Sequence, residues 1–192
     1  LSLVATFGTA AIAANAVSGT IVMFQVLPGM AIGLGMTVVI SRCVGAGDYA
    51  LAKFYTKKIM SIIYVVHILS TIAVLAVLPL ILKIYGLSED ASYWTSRLVW
   101  SHGIMMVVIW PLAYTLPVTF RASGDAKFPM LVSMGSMLLC RIALSYVFAV
   151  WLRMGMYGTW VAMFVDWFVK AGIFAWRYGS GKWIRLNAVR AG

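Results

Sequence analysis

Charge is scarce in this sequence: Asp, Glu, Lys and Arg make up 10% of 192 residues, and only five residues are acidic. Soluble domains carry about 25% charged and 45 to 50% apolar residues. With 63% hydrophobic residues, this chain cannot clothe itself in a polar surface. Cysteine is also scarce, and the pair Cys43 and Cys140 excludes a disulfide framework and any repeated metal-ligand spacing. Both read as inert thiols. The two histidines, His67 and His102, stand alone, with no His/Asp/Ser constellation and no HExxH motif, so the reading is no enzyme, no cofactor and no bound metal. The chain opens on Leu1 without a charged leader or a small-residue cleavage site, so we expect no signal peptide and take it as a piece of a longer protein. The net charge of +10 is scattered among apolar runs, which argues against a nucleic-acid partner.

What is present is a series of long apolar runs joined by short polar turns. The clearest sample is Trp110 to Pro129, where one run meets Arg121, Gly124, Asp125 and Lys127 before the next begins at once. A helix needs about 20 apolar residues to cross a bilayer. The chain reads as an all-α polytopic membrane bundle over residues 1–178. It has an N-terminal stub at 1–8 and helices at about 10–44, 52–84, 90–120, 127–152 and 156–177, followed by a polar tail at 179–192. Pro28 predicts a kink in the first crossing. Gly29, Gly33 and Gly35 predict close approach by another helix, and Ser88 is a candidate N-cap. The turn from Arg42 to Lys58 contains Gly45, Gly47 and Asp48. It lacks the Walker lysine and the full dinucleotide fingerprint, which excludes nucleotide binding.

Successive crossings alternate sides. One side then holds Arg42, Lys53, Lys57, Lys58, Arg121, Lys127, Arg177, Lys182, Arg185 and Arg190, and the other only Lys83, Arg97 and Arg153. The positive-inside rule places the first side, and the C-terminal tail, in the cytoplasm of a cell whose inner (plasma) membrane the chain spans. Trp94, Trp151 and Trp160 fall near the expected outer boundary, Trp176 and Trp183 near the inner one.

Three ionisable residues fall inside predicted spans: Arg141, Asp166 and Lys170. Each must face the protein interior and find a partner. Arg141 and Asp166 lie at matched depth on antiparallel neighbours, and Lys170 is one turn beyond Asp166. The expectation is an Arg141–Asp166 pair flanked by Lys170, acting either as an ion relay or as a static bridge. Gln25, Trp110, Tyr114 and His102, with twelve Met residues, suit a cavity for small organic cations, because aromatic faces attract cations and Met is adaptable.

Four motifs carry a resemblance: the helix start A-I-A-A-N-A, then V-G-A-G-D-Y-A-L-A-K, then R-A-S-G-D-A-K-F-P, and near the end G-T-W-V-A-M-F-V-D-W. In this order and spacing the chain resembles the C-terminal half of a multidrug and toxic compound extrusion (MATE) transporter. The resemblance implies twelve helices in two lobes. Leu1 to Phe7 would end the seventh helix, the five crossings would be helices eight to twelve, and the missing N-terminal lobe would be the partner. It also implies secondary-active export of organic cations by H⁺ or Na⁺ antiport. Relatives with a sodium site carry an acid on the tenth helix, where this chain reads Val108-Ile109-Trp110-Pro111-Leu112. Asp166 is then the one membrane acid available for coupling. A lipid-linked oligosaccharide flippase and an intramembrane enzyme using His102 or His67 as base are the alternatives.

Overall fold

The computed structural model describes residues 2–184. The tail cations Arg185 and Arg190 lie outside the described residues. A short helix α1 (Ser2–Ala5) ends before Gly8, which adopts φ 94°. Five long helices follow: α2 (Thr9–Gly45), α3 (Tyr49–Tyr85), α4 (Glu89–Ala122), α5 (Lys127–Trp151) and α6 (Gly155–Gly179). All five are long and apolar enough to cross a membrane, and no strand occurs among the described residues.

The turns show why the chain reverses where it does. At Gly47, with φ 74°, the Asp48 N–H reaches back to the Cys43 carbonyl at 3.0 Å; at Gly124, with φ 87°, the Asp125 N–H reaches the Phe120 carbonyl at 2.8 Å. Both are helix C-caps in which a left-handed glycine lets the next N–H satisfy an orphan carbonyl. The two aspartates then diverge. Asp48 caps α3 by accepting from the Leu51 N–H at 2.8 Å, whereas Asp125 accepts from Arg177 Nη2 at 2.7 Å and Nε at 3.1 Å, tying α6 to the α4–α5 turn. Asp48→Ala should therefore lower stability by about 1 kcal/mol, the usual cost of a lost N-cap, read as a drop in thermal midpoint with the fold retained. At the opposite end of the bundle Ser88 Oγ accepts from the Ala91 N–H at 3.3 Å, capping α4 as its sequence position suggests.

Helix α4 is the centre of the bundle. It packs against α2 and α3 on one side and α6 on the other, while α5 leans chiefly on α6. Within the most apolar stretch of each helix, 61% of α4 is buried and only 11% of α5. The outer face of α5 is apolar, with Leu131, Leu138 and Leu139 exposed.

Several sequence expectations are corrected here. Trp160 and Trp183 are buried among protein side chains, unlike the exposed Trp151 and Trp176. Trp160 donates its indole N–H to Asn15 Oδ1 at 3.0 Å, and Trp183 stacks on Tyr178, so neither is a headgroup anchor. The start of the polar tail folds back, with Trp183 fully buried against the α6 end. Gly29 does face a close neighbour, the His67 ring, but Gly33 and Gly35 meet nothing within 4 Å.

Candidate functional site

Three stretches widen from α-helical to π-helical turns: Pro111–Thr115 in α4, and Met137–Ala143 and Val147–Trp151 in α5. The first has a chemical cause. Pro111 has no N–H and cannot close an ordinary turn, and the backbone shifts to a longer bond from the Leu116 N–H to the Pro111 carbonyl. The second contains Arg141 and no proline. Such widened turns re-aim side chains, and two of them bear residues of one cleft, Tyr114 and Arg141.

That cleft encloses about 590 Å³ between α2, α4, α5 and α6. Its aromatic wall is continuous. Trp110 stacks on Tyr114 at 5.2 Å between ring centroids, Tyr114 meets Trp167 edge-on at 5.9 Å, and Trp167 meets His102 at 5.3 Å. A second cavity of about 450 Å³ shares His102 and Arg141 with it and adds Asn15, Thr159 and Trp160. The two form one groove along the bundle.

Behind the wall sits a buried polar cluster. His102 Nδ1 is hydrogen-bonded to Gln25 Oε1 at 2.8 Å. Gln25 is fully buried behind His102, and Ser70 Oγ donates to its backbone carbonyl at 3.1 Å. His67 is fully buried, packed edge-on against Trp110 at 4.8 Å. Neither histidine meets a nucleophile: the hydrogen-bond partner of His102 is an amide, and His67 faces a glycine and an indole.

The buried charges are paired otherwise than the sequence suggests. Asp166 Oδ2 accepts from Lys170 Nζ at 2.7 Å, both side chains being almost wholly buried. Arg141 makes no ion pair among the described residues; it is exposed on the cleft wall, its carbonyl accepting from Ser145 Oγ. Lys170 wins because it stands one turn along the same helix, while the widened turn of α5 directs Arg141 into the groove. The other oxygen of Asp166, Oδ1, has no hydrogen-bond partner among the described residues. Lys170 Nζ also lies 5.2 Å from the centre of the Tyr114 ring, which places the pair one side chain behind the cleft.

Of the residues singled out from the sequence, His102, Trp110, Tyr114 and Arg141 line the groove, with Gln25, Asp166 and Lys170 just behind it. Arg121 opens into the same cleft at its Gly-Asp end. Arg42, Gly45, Gly47 and Asp48 stay at an exposed turn away from it. Sequence reasoning missed Trp167, which links Tyr114 to His102, and undervalued His67. Trp167 could have been found, because it lies on α6 between the inward-facing Asp166 and Lys170, whereas His67 stands in an almost wholly apolar stretch of α3 with no charge beside it to mark the inward face.

Fold and site together define a polytopic helical membrane protein whose polar groups gather on an interior cleft, the layout of a transporter. The chain belongs to the MatE family, whose model matches residues 1–147. It is 27% identical over 187 residues to the uncharacterized transporter YisQ of Bacillus subtilis (strain 168), covering 95% of this chain and 40% of that protein. It is 19% identical over 166 residues to the probable multidrug resistance protein YoeA of the same organism, covering 84% of this chain and 35% of that one. The chain thus spans well under half the length of these two relatives. No solved structure shows a significant match.

Proposed function

We propose that the chain forms one lobe of a secondary-active exporter of amphipathic small molecules, working by alternating access against a second lobe and driven by H⁺ or Na⁺. The observation that carries this is Asp166, a fully buried carboxylate with one oxygen held by Lys170 and the other unpartnered, one aromatic ring away from the cleft. Ionisable groups at such depth mark ion and proton pathways. A proton or sodium ion arriving at Oδ1 would weaken the hold on Lys170, and the freed ammonium would alter the charge facing Tyr114. Binding in the cleft and ion occupancy would then be linked through one side chain. The cation excess at the Gly-Asp end supports a cytoplasmic position for that end and for the C-terminus, in the inner (plasma) membrane.

The test is efflux of a fluorescent dye by the intact protein in vesicles under an imposed pH or Na⁺ gradient. Asp166→Asn keeps the size of the side chain and removes its ionisation. Gradient-driven efflux by that variant should fall toward that of protein-free vesicles. Wild-type efflux with unchanged ion dependence would take Asp166 out of coupling.

A further inference from the structure

The charged members of the groove wall are all of one sign. Arg121 and Arg141 line the larger cleft, Arg141 lines the smaller one too, and no carboxylate lines either. Asp166, the buried acid nearby, is engaged with Lys170. An organic cation would meet repulsion from both guanidiniums, and the aromatic faces would have to outweigh it.

Arg141 is the informative residue. It lies fourteen residues from the Lys127 end of α5 and ten from the Trp151 end, roughly 15 Å from the nearer end at ordinary helical rise. It has no ion pair among the described residues. An unneutralised guanidinium facing hydrocarbon at that depth is strongly unfavourable. It persists where it lines a water-filled path or meets an anion. Its planar fork of donors suits carboxylate and phosphate.

The surroundings complete a site for an anion with a flat apolar body. Asn15, which lines the smaller cavity, accepts the Trp160 N–H through its carbonyl oxygen, which leaves its amide hydrogens free to donate; Thr159 beside it commits its hydroxyl proton to the Met156 carbonyl at 2.8 Å and adds no donor. The rings of Trp110, Tyr114 and Trp167 line the adjoining larger cleft, whose wall also includes Arg141. The volume of about 590 Å³ falls within the range of drug-sized sites.

We infer that this groove binds an oxyanion, a carboxylate or phosphate carried on an aromatic or otherwise apolar body, with Arg141 as its anchoring residue. This deepens the exporter reading and rests on it only for the step that carries the ligand across. The carrier of the oxyanion is either a soluble aromatic acid or the phosphate headgroup of a lipid.

Calorimetric titration of the purified intact protein with 2-naphthoate and with the charge-reversed 2-naphthylmethylammonium tests the site. Wild-type protein should bind the naphthoate more tightly. Arg141→Gln should weaken naphthoate binding about ten- to a hundredfold, the scale of one lost charge-assisted contact, and leave the ammonium unaffected or improved. Arg141→Lys should fall between, because a point charge replaces a fork. Wild-type preference for the ammonium, or naphthoate binding unchanged in Arg141→Gln, overturns the inference; should Arg141→Gln fail to fold, the wild-type preference and Arg141→Lys still decide it. Two vesicle measurements then separate the sources: naphthoate efflux points to a soluble acid, and Arg141-dependent flipping of a fluorescent phosphatidic acid in phosphatidylcholine vesicles points to a lipid. Naphthoate binding with movement of neither probe leaves the oxyanion site standing and removes the exporter reading. Movement of the ammonium without naphthoate binding does the reverse.

Discussion

Replacing Lys170 by Met should destabilise the protein by about 3 to 5 kcal/mol, the usual consequence of removing one partner from a buried ion pair. The reason is what remains. Asp166 is wholly shielded from solvent, its Oδ2 is held by Lys170 Nζ at 2.7 Å, and its Oδ1 has no other partner to fall back on. The loss should appear as a lower thermal midpoint of the intact protein in detergent. Pairing the change with Asp166→Asn should recover most of it, because a neutral amide beside an apolar side chain strands no charge. A Lys170→Met protein as stable as wild type would mean that Asp166 is neutral at rest, and the double variant would then show no recovery.

A second large effect is expected at Gly158, in the first turns of α6. A Cβ there would lie 2.6 Å from the Ala149 backbone nitrogen and 2.7 Å from the Phe148 carbonyl carbon. These are backbone atoms of the neighbouring helix, and no rotamer change can move them aside. Gly158→Ala should cost about 3 kcal/mol, the upper part of the usual overpacking range, and Gly158→Val more, because α5 and α6 must separate where they make their closest approach. Gly172 on the same helix meets nothing within 4 Å, so Gly172→Ala should be neutral or stabilising by up to about 1 kcal/mol through helix propensity. Comparing the thermal midpoints of the two alanine variants separates loss of close packing from a general effect of filling glycines.

Both effects depend on features that the sequence displays without explaining. Asp166 and Lys170 are visible as the i,i+4 charges of an apolar helix, and Gly158 as one glycine among 17. Depth along a helix can be counted, and Arg141 and Asp166 were matched on that basis. Rotation about the helix axis cannot be counted when every face is apolar. α4 and α5 read as similarly hydrophobic, yet one is largely enclosed and the other mostly faces outward. The widened turn at Met137–Ala143, which directs Arg141 into the groove, has no proline to announce it. The corresponding turn at Pro111 could have been suspected.

By itself, then, the sequence determined the environment, the all-α class with five long apolar helices, and which few residues within them are charged. It could do so because a bilayer imposes a length of apolar chain on each crossing. The tertiary structure alone decided that Asp166 pairs within its own helix, that Trp160 and Trp183 turn inward, that Gly158 is where two helices meet, and that Arg141 faces the cleft unpaired. The reason is that helix rotation and packing are set by side chains meeting across helices, and the uniform hydrophobicity that fits a chain for the membrane leaves no trace of those meetings in its order of residues.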